Sequence, residues 1–461
     1  MQEKNRIEKD SLGCVEVPVS ALWGAQTQRS INNFSIGEEI IPIELIYSLT
    51  IIKKAAAITN YDLGYLEESK KEFIVDSCQE ILQGNHNKQF PLKIWQTGSG
   101  THTNMNVNEV ISNIASKKSN FALGSHQPLH PNDDVNKSQS TNDTFPAAIQ
   151  IAVVKTIIQD LLPIINKLIE SLDKKSYEWK DTLKIGRTHF QDAVPMSLGQ
   201  EVDAWSQQIK DSKKSLEDSL KDLFFLPLGG TAVGTGINCP EGFSQKAIEI
   251  IARETNLNFK RSTSPYSLMA SHDRLANVMG NIKNLASTFF KISNDIKILS
   301  SGPRCGIYEL KLPKNEPGSS IMPGKVNPTQ CESLSMICTQ IIGLEHAVSL
   351  ANCSGTLQMN EYKPLIGYNI ITSIRLMTNS LKNFKEKLID GMVPNYPIMQ
   401  NNLESSLMLV TALVPKLGYE KAADIANLAF KESITLKDAA IKLGYLSEEL
   451  FNSIIQPDQM I

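Results

Sequence analysis

No run of about 18 apolar residues, the length a membrane-spanning helix needs, occurs in this 461-residue chain. The opening MQEKNRIEKDSLG is polar and of mixed charge, without the apolar centre of a secretory leader. These absences lead to the expectation of a soluble, cytoplasmic chain with no membrane partner. Charge of one sign is lacking too: 46 Lys and Arg face 49 Asp and Glu, for a formal net charge of −3. With the two signs interspersed, there is no basic stripe for nucleic acid, and an anionic substrate must be attracted locally. The seven cysteines, Cys14, Cys78, Cys239, Cys305, Cys331, Cys338 and Cys353, are scattered, odd in number and never spaced CxxC. That pattern argues against a zinc site or a disulfide framework and fits a reducing compartment. Internal repeats and low-complexity segments are absent.

What is present in quantity is helical periodicity. Ile43 to Leu63 and Glu67 to Gln83 carry apolar residues at helical spacing. From Phe145 to about Trp179, residues Ile149, Val153, Ile157, Leu161, Ile165, Leu168 and Leu172 recur at intervals of three and four, predicting one long helix with a bend at Pro163. Ser197 to Phe225, Ser267 to Leu299, Gln330 to Ala351 and Lys363 to Leu388 read as further long helices. Beyond about Val393 only short helical segments remain, such as Glu420 to Phe430 and Ser447 to Ile455. The expected architecture is mainly α, a central bundle of long helices with smaller flanking domains, divided as residues 1–139, 140–393 and 394–461. Apolar surface this broad predicts an oligomer.

The polar connections carry the candidate chemistry. Pro317 to Pro328, PGSSIMPGKVNP, cannot be helix interior. Asn327 followed by Pro328 predicts a cap and first turn, so Lys325 and Asn327 stand at a helix N-terminus, where an anion is held. On composition alone an ordinary capped linker is an equal reading. Ile94 to Glu109, IWQTGSGTHTNMNVNE, offers small hydroxyls and free N–H groups to a carboxylate, and it lacks the lysine of a phosphate loop. His130 to Asp143, HPNDDVNKSQSTND, has adjacent acids that do not converge with His130 for a metal, and reads as Asx turns and caps. Lys184 to Pro195, KIGRTHFQDAVP, reads as a loop holding His189, a residue that is structural more often than catalytic in such a setting. Leu228 to Asn238, LGGTAVGTGIN, fails GxGxxG, has no strand before it, and reads as a turn. Asp10 to Ser30, with LWGAQTQRS, reads as a packing arm anchored by Trp23.

GSSIMPGKVNP resembles the signature of the fumarase/aspartase superfamily, whose members add or remove a group beside a carboxylate across a carbon–carbon double bond. Blocks from Arg6 to Met460 are similar to class II fumarate hydratases, the iron-free type. GRTH at His189 has the fumarase form, where aspartate ammonia-lyase has GRTQ. The resemblance implies that Ser319 is the base, that His189 exchanges a proton with water on the opposite side, and that Glu332 orients His189. Lys325 and Asn327 would stabilise the developing charge. It implies substrate contacts from Ser99, Gly100, Thr101, Ser140, Thr141, Asn142, Thr188, Ser320, Lys325, Val326 and Asn327. A secondary dicarboxylate site would use His130, Pro131, Asn132 and Asp133, with Gln127 standing where some relatives have arginine. Asn360, Lys363 and Pro364 resemble a packing block and receive no role.

The expected reaction is therefore reversible hydration of fumarate to L-malate, through an aci-carboxylate and without metal or organic cofactor. Aspartate ammonia-lyase and a catalytically silent helical scaffold are the rivals. Asn142 precedes the long helix and His189 follows it, and about 30 residues at about 1.5 Å each separate them by on the order of 45 Å. The expected site is thus shared between chains of a homotetramer.

Overall fold

The computed structural model describes residues 4–461. An N-terminal hairpin, β1 (Asn5–Asp10) and β2 (Gly13–Pro18), leads into α1 (Ala25–Asn33), α2 (Ile43–Asp62), α3 (Glu68–Leu82) and α4 (Thr101–Lys118). Next come α5 (Thr141–Thr156) and α6 (Leu162–Glu178), joined through a π turn at Ile157–Leu161 into one continuous helix. The wider turn lies directly before Pro163, whose missing N–H cannot complete an α-helical bond. A second hairpin, β3 (Leu183–Thr188) and β4 (Gln191–Ser197), precedes α7 (Leu198–Leu220). The two-residue strands β5 (Phe225–Leu226) and β6 (Lys260–Arg261) flank α8 (Phe243–Thr255). Then follow α9 (Pro265–Ala270), α10 (Asp273–Leu299), β7 (Leu310–Lys311), α11 (Thr329–Cys353), α12 (Lys363–Phe384), β8 (Val393–Pro394) and α13 (Tyr396–Ser405). Short helices α14 (Val414–Leu417), α15 (Tyr419–Glu432), α16 (Leu436–Lys442) and α17 (Glu448–Ile454) complete the chain.

The chain forms two compact units. One comprises the chain through Pro163 with Lys213–Ala286 and Cys338–Thr378. Its core is apolar side chains of α2, α4 and α5, among them Leu45, Leu49, Val107, Phe145 and Ile149, each fully buried. The other comprises Ile164–Ser212, Ser287–Ile337 and Asn379–Ile461. There Ile185 of β3 packs into a cluster with Leu403, Leu413, Ile425 and Ala439 of the short C-terminal helices. Two helices, Thr141–Glu178 and Thr329–Cys353, are long and apolar enough to cross a membrane by length and composition; two thirds of the apolar window in the first is buried within the chain itself.

The mainly α expectation holds, and the long helices fall where periodicity put them. The local differences have identifiable causes. Thr101–Lys118, the Asn-rich stretch after the Gly/Ser/Thr run, is a helix that apolar spacing does not announce: Asn104, Asn106, Asn108 and Asn113 are buried, with side-chain amides bonded to Asn136, Gln89 O and Leu22 O on neighbouring segments. The long helix begins at Thr141 because Ser140 and Asp143 form a reciprocal capping box. Helix Ser267–Leu299 is interrupted at Ser271–His272, where the His272 N–H donates to Asn352 Oδ1. A strand, β5, does precede LGGTAVGTGIN, though it is only two residues long. Trp23 is half-buried, and the arm around it is fixed by Glu109, which accepts from Gly24 N, Gln26 N and Thr27 Oγ1.

Candidate active site

Within the first unit, Ser99, Gly100 and Thr101 form the entry to α4. Gly100 sits at φ 83, and a Cβ there would lie 2.5 Å from the Phe145 ring, so only glycine lets this loop close on the first turns of α5. Ser99 Oγ is 2.9 Å from Thr101 Oγ1 and 3.3 Å from Thr97 Oγ1, a chain of hydroxyls whose protons can turn toward an anion. At the start of α5, Ser140 Oγ accepts from Asn142 N, and Asn142 Nδ2 donates to Ala232 O. Thr141 is buried. A cavity of about 190 Å³ opens here, lined by Ser138, Gln139, Ser140, Thr231, Ala232, Ile237 and Asn238. The GSGT loop meets α5 through Gly100 and Phe145, one turn beyond Asn142, while the cavity at Ser140 is lined by none of Ser99, Gly100 or Thr101.

The His130–Val135 segment is a single π turn capped by its own histidine: His130 Nδ1 accepts from Asn132 N at 3.2 Å and Asp133 N at 3.1 Å. Asp133 Oδ2 lies 3.4 Å from the same nitrogen, but a nitrogen accepting two N–H bonds carries no proton for an ion pair. Pro131 is buried, and Asp134 bonds to His130 N and Lys70 Nζ. Among the described residues no group of three or more His, Cys, Asp or Glu side chains could hold a metal ion.

In the second unit, the stretch around His189 is a β-hairpin and not a loop. Thr188 pairs with Gln191, leaving His189 and Phe190 as a two-residue turn with φ 56 and 60. Two positive φ values define the type I′ turn that matches strand twist, and its usual Asn-Gly signal is missing here, which is why the sequence does not announce it. Thr188 and His189 are exposed. The hairpin is anchored by Arg187, which donates to both oxygens of Glu309 at 3.0 and 2.8 Å. Lys184 Nζ stands 3.2 Å from the same carboxylate and 3.0 Å from Glu201, and Asn402 also donates to Glu309. Burial pushes the Glu309 carboxyl up, but Arg187 and Lys184 outweigh it and hold it below its ordinary value. A cavity of about 260 Å³ lies beside the hairpin, lined by Lys184, Arg187, His189, Phe190, Glu201, Asp295, Ile298, Leu299 and Ile307.

The Pro317–Pro328 loop folds on itself. Gly318 N donates to Lys325 O at 2.9 Å, and Asn327 Nδ2 donates to Gly318 O at 2.7 Å. A Cβ on Gly318 would come within 2.5 Å of Lys325 O, so the closure requires glycine. Helix α11 starts at Thr329, with Pro328 O accepting from Glu332 N; Pro328 takes the cap position expected of Asn327, whose amide is engaged inside the loop. Ser319 Oγ accepts from Ile321 N at 3.3 Å and Met322 N at 3.0 Å. Ser320, Lys325, Val326 and Glu332 are exposed. The side chains of His189, Lys325 and Glu332 have no hydrogen-bond or ion-pair partner among the described residues, and the cavity beside His189 is lined by none of Ser319, Lys325, Asn327 or Glu332.

The helical scaffold with its glycine-closed polar loops is that of a lyase: the Lyase family model matches residues 13–343, and the chain belongs to that family. The Fumarase C C-terminus model matches residues 409–461. Among its relatives, the fumarate hydratase class II of Prochlorococcus marinus subsp. pastoris is 68% identical over 461 residues, all of both chains. That of another Prochlorococcus marinus strain is 54% identical, covering 100% of this chain and 99% of the relative. The crystal structure of recombinant class II fumarase from Schistosoma mansoni superimposes with a TM-score of 0.96 at 42% identity, covering 99% of each chain.

Proposed function

We propose that this chain catalyses the reversible hydration of fumarate to L-malate in the cytoplasm, as a step of the tricarboxylic acid cycle. The observation that carries the reading is 68% identity over the full length to a class II fumarate hydratase, in a chain whose GSSIMPGKVNP and GRTH segments supply Ser319, Lys325, Asn327 and His189. Taking a proton from carbon beside a carboxylate creates an aci-carboxylate, so the chief task is to stabilise charge that appears only in the transition state. Ser319 takes that proton. The two backbone N–H groups directed at its Oγ support this, because they lower the cost of an alkoxide. Lys325, Asn327 and the N-terminus of α11 hold the carboxylate that gains charge. His189 exchanges a proton with the water on the opposite face, and Glu332 orients it. Ser99, Gly100, Thr101, Ser140, Thr141, Asn142, Thr188, Ser320 and Val326 complete the substrate contacts, and the His130–Asp133 turn is a secondary dicarboxylate site.

The reading includes a homotetramer with shared sites. Thr141–Glu178 has 38 residues and, at about 1.5 Å each, a length on the order of 57 Å, with Asn142 in its first turn and His189 beyond its last. A four-carbon substrate cannot touch both ends of such a helix. The open side chains of His189, Lys325 and Glu332, and the exposed apolar Met336, Ile342 and Leu350 of α11, fit surfaces completed by other copies.

Purified protein supplied with L-malate and then L-aspartate, followed by fumarate absorbance, tests the reaction. Fumarate from malate alone is expected; fumarate from aspartate alone would assign an ammonia-lyase, and none from either would assign a silent scaffold. Sharing is tested by co-assembling Ser319→Ala with His189→Asn, each nearly inactive. Equal random mixing is expected to restore both native residues at about a quarter of sites. Verified mixed tetramers without activity would place both residues in one chain.

A further inference from the structure

Lys363, the first residue of α12, is fully buried, and its Nζ makes no hydrogen bond among the described residues. A buried ammonium without a partner is among the costliest arrangements a fold can hold, so its surroundings matter. Its backbone N–H donates to Gly98 O at 3.2 Å, and a Cβ on Gly98 would fall 1.5 Å from Glu361 O, so the chain at 361–363 lies hard against the GSGT loop. Asn360 locks that turn, accepting from Tyr362 N and donating to Ala351 O and Asn352 O.

Charged and titratable groups on three elements act with Lys363, and α2 bears on it only through Asp143. On α5, Asp143 is the carboxylate acting most strongly on it, but its oxygens already accept from Ser140 N, Gly229 N and Thr231 N. On α2, Lys53 also acts on Asp143; it is fully buried and bonded only to the neutral oxygens of Asn136 and Gln139. At the α9–α10 break, His272 is pushed down to about 3 by burial and then by the charge of Lys363, and is therefore neutral. Glu361, beside α12, is exposed to solvent. Burial pushes Lys53 down to about 7, so in mild alkali Lys363 and Asp143 are the charged buried groups, and Lys363 has no hydrogen bond to that carboxylate, whose oxygens are taken by backbone N–H groups. Lys363 is tied through its backbone N–H to Gly98, next to Ser99–Thr101, and it feels Asp143, the carboxylate that caps the Ser140–Asn142 turn.

We propose that Lys363 is a positioning residue for the substrate: its ammonium supplies the field that draws one carboxylate of a dicarboxylate onto the GSGT loop and the Ser140–Asn142 turn. This rests on the hydratase reading for the identity of the ligand. Burial pushes Lys363 down to about 8, with Asp143 pulling it back up, so the free protein holds this proton weakly in mild alkali. Arrival of a dianion stabilises the ammonium and must bind the proton more tightly.

The test compares the wild-type assembly with Lys363→Met. For malate turnover, KM is expected to rise about tenfold or more while kcat stays within about threefold, the signature of lost ground-state attraction. Calorimetry at pH 8 with succinate, which does not turn over, in buffers of different ionisation heat should show partial proton uptake on binding to wild type and none in the variant. Unchanged KM in a folded variant, or no proton uptake by wild type, overturns the proposal. If Lys363→Met fails to assemble, Lys363→Gln takes its place in both measurements. Wild type that binds succinate with proton uptake yet converts no malate would defeat the hydratase reading and leave the role of Lys363 standing.

Discussion

In the unit that carries the His189 hairpin, Lys184 and Arg187 converge on one carboxylate, Glu309, at hydrogen-bond distance. In the other unit, Lys53 and Lys363 flank Asp143 without a hydrogen bond to it, and that carboxylate is taken up by backbone N–H groups. Both clusters are buried, so both bear a desolvation cost, but only the first recovers it through direct pairing. A paired cluster fixes geometry: Glu309 ties β3 to the segment bearing Asn402, which holds the turn that presents His189. An unpaired one keeps a standing field, which an arriving anion can use. The contrast separates a device for position from a device for attraction.

The largest effect is expected at the paired cluster. Glu309→Ala leaves Arg187 without its carboxylate partner and Lys184 with Glu201 alone, and should cost about 3–5 kcal/mol of stability, read from denaturant midpoints. Because Glu309 is held below its ordinary value, its contribution is present above the carboxylate range and is lost as pH falls through its folded value. The difference between wild type and variant should shrink in acid; a difference independent of pH would mean that packing, not charge, was removed.

Lys325→Met comes next, with an expected loss on the order of 3 kcal/mol in transition-state stabilisation, by analogy with removal of an oxyanion donor. As Lys325 is exposed on its loop, stability should not change. A rise confined to KM would make it a ground-state contact like that proposed for Lys363, and the distinction between chemistry and attraction would fall.

The third effect is a slope, the dependence of stability on pH in the unpaired cluster. Burial pushes Lys53 down to about 7, with Asp143 opposing, from the ordinary lysine value of 10.5. Between those values the unfolded chain binds the extra proton, so this lysine makes stability rise with pH from about 7 to 10.5. Lys53→Met should flatten that slope relative to wild type in paired melting curves. An unaltered slope would show that Lys53 keeps its proton in the fold and that the two clusters are less different than their bonding suggests.

Much of this was legible before any coordinates. Spacings of three and four gave the long helices, because burial against neighbours demands one apolar stripe per helix. Asp143, three residues after Ser140, fits the capping box that starts α5, although the Phe145 start read from apolar spacing came four residues late. Gly98 and Gly318 marked loops that close on other backbone, and Gly100 one that closes on the Phe145 ring, as only glycine allows. The hairpin at His189 was hidden, since its turn is built from His and Phe held at positive φ by strand pairing, and nothing local favours that. The Asn-rich helix Thr101–Lys118 was hidden as well: an asparagine is buried only when another segment supplies its partner, and Asn136 stands 32 residues from Asn104. The lysines make the same point most strongly. Lys53, Lys184 and Lys363 look like any others in the chain, and their burial, pairing and field exist only once distant segments enclose them. Helix positions and the polar loops were set by short-range chemistry in the sequence, whereas the charge state and partners of buried groups were decided by tertiary packing, because desolvation depends on everything around a group and not on its neighbours along the chain.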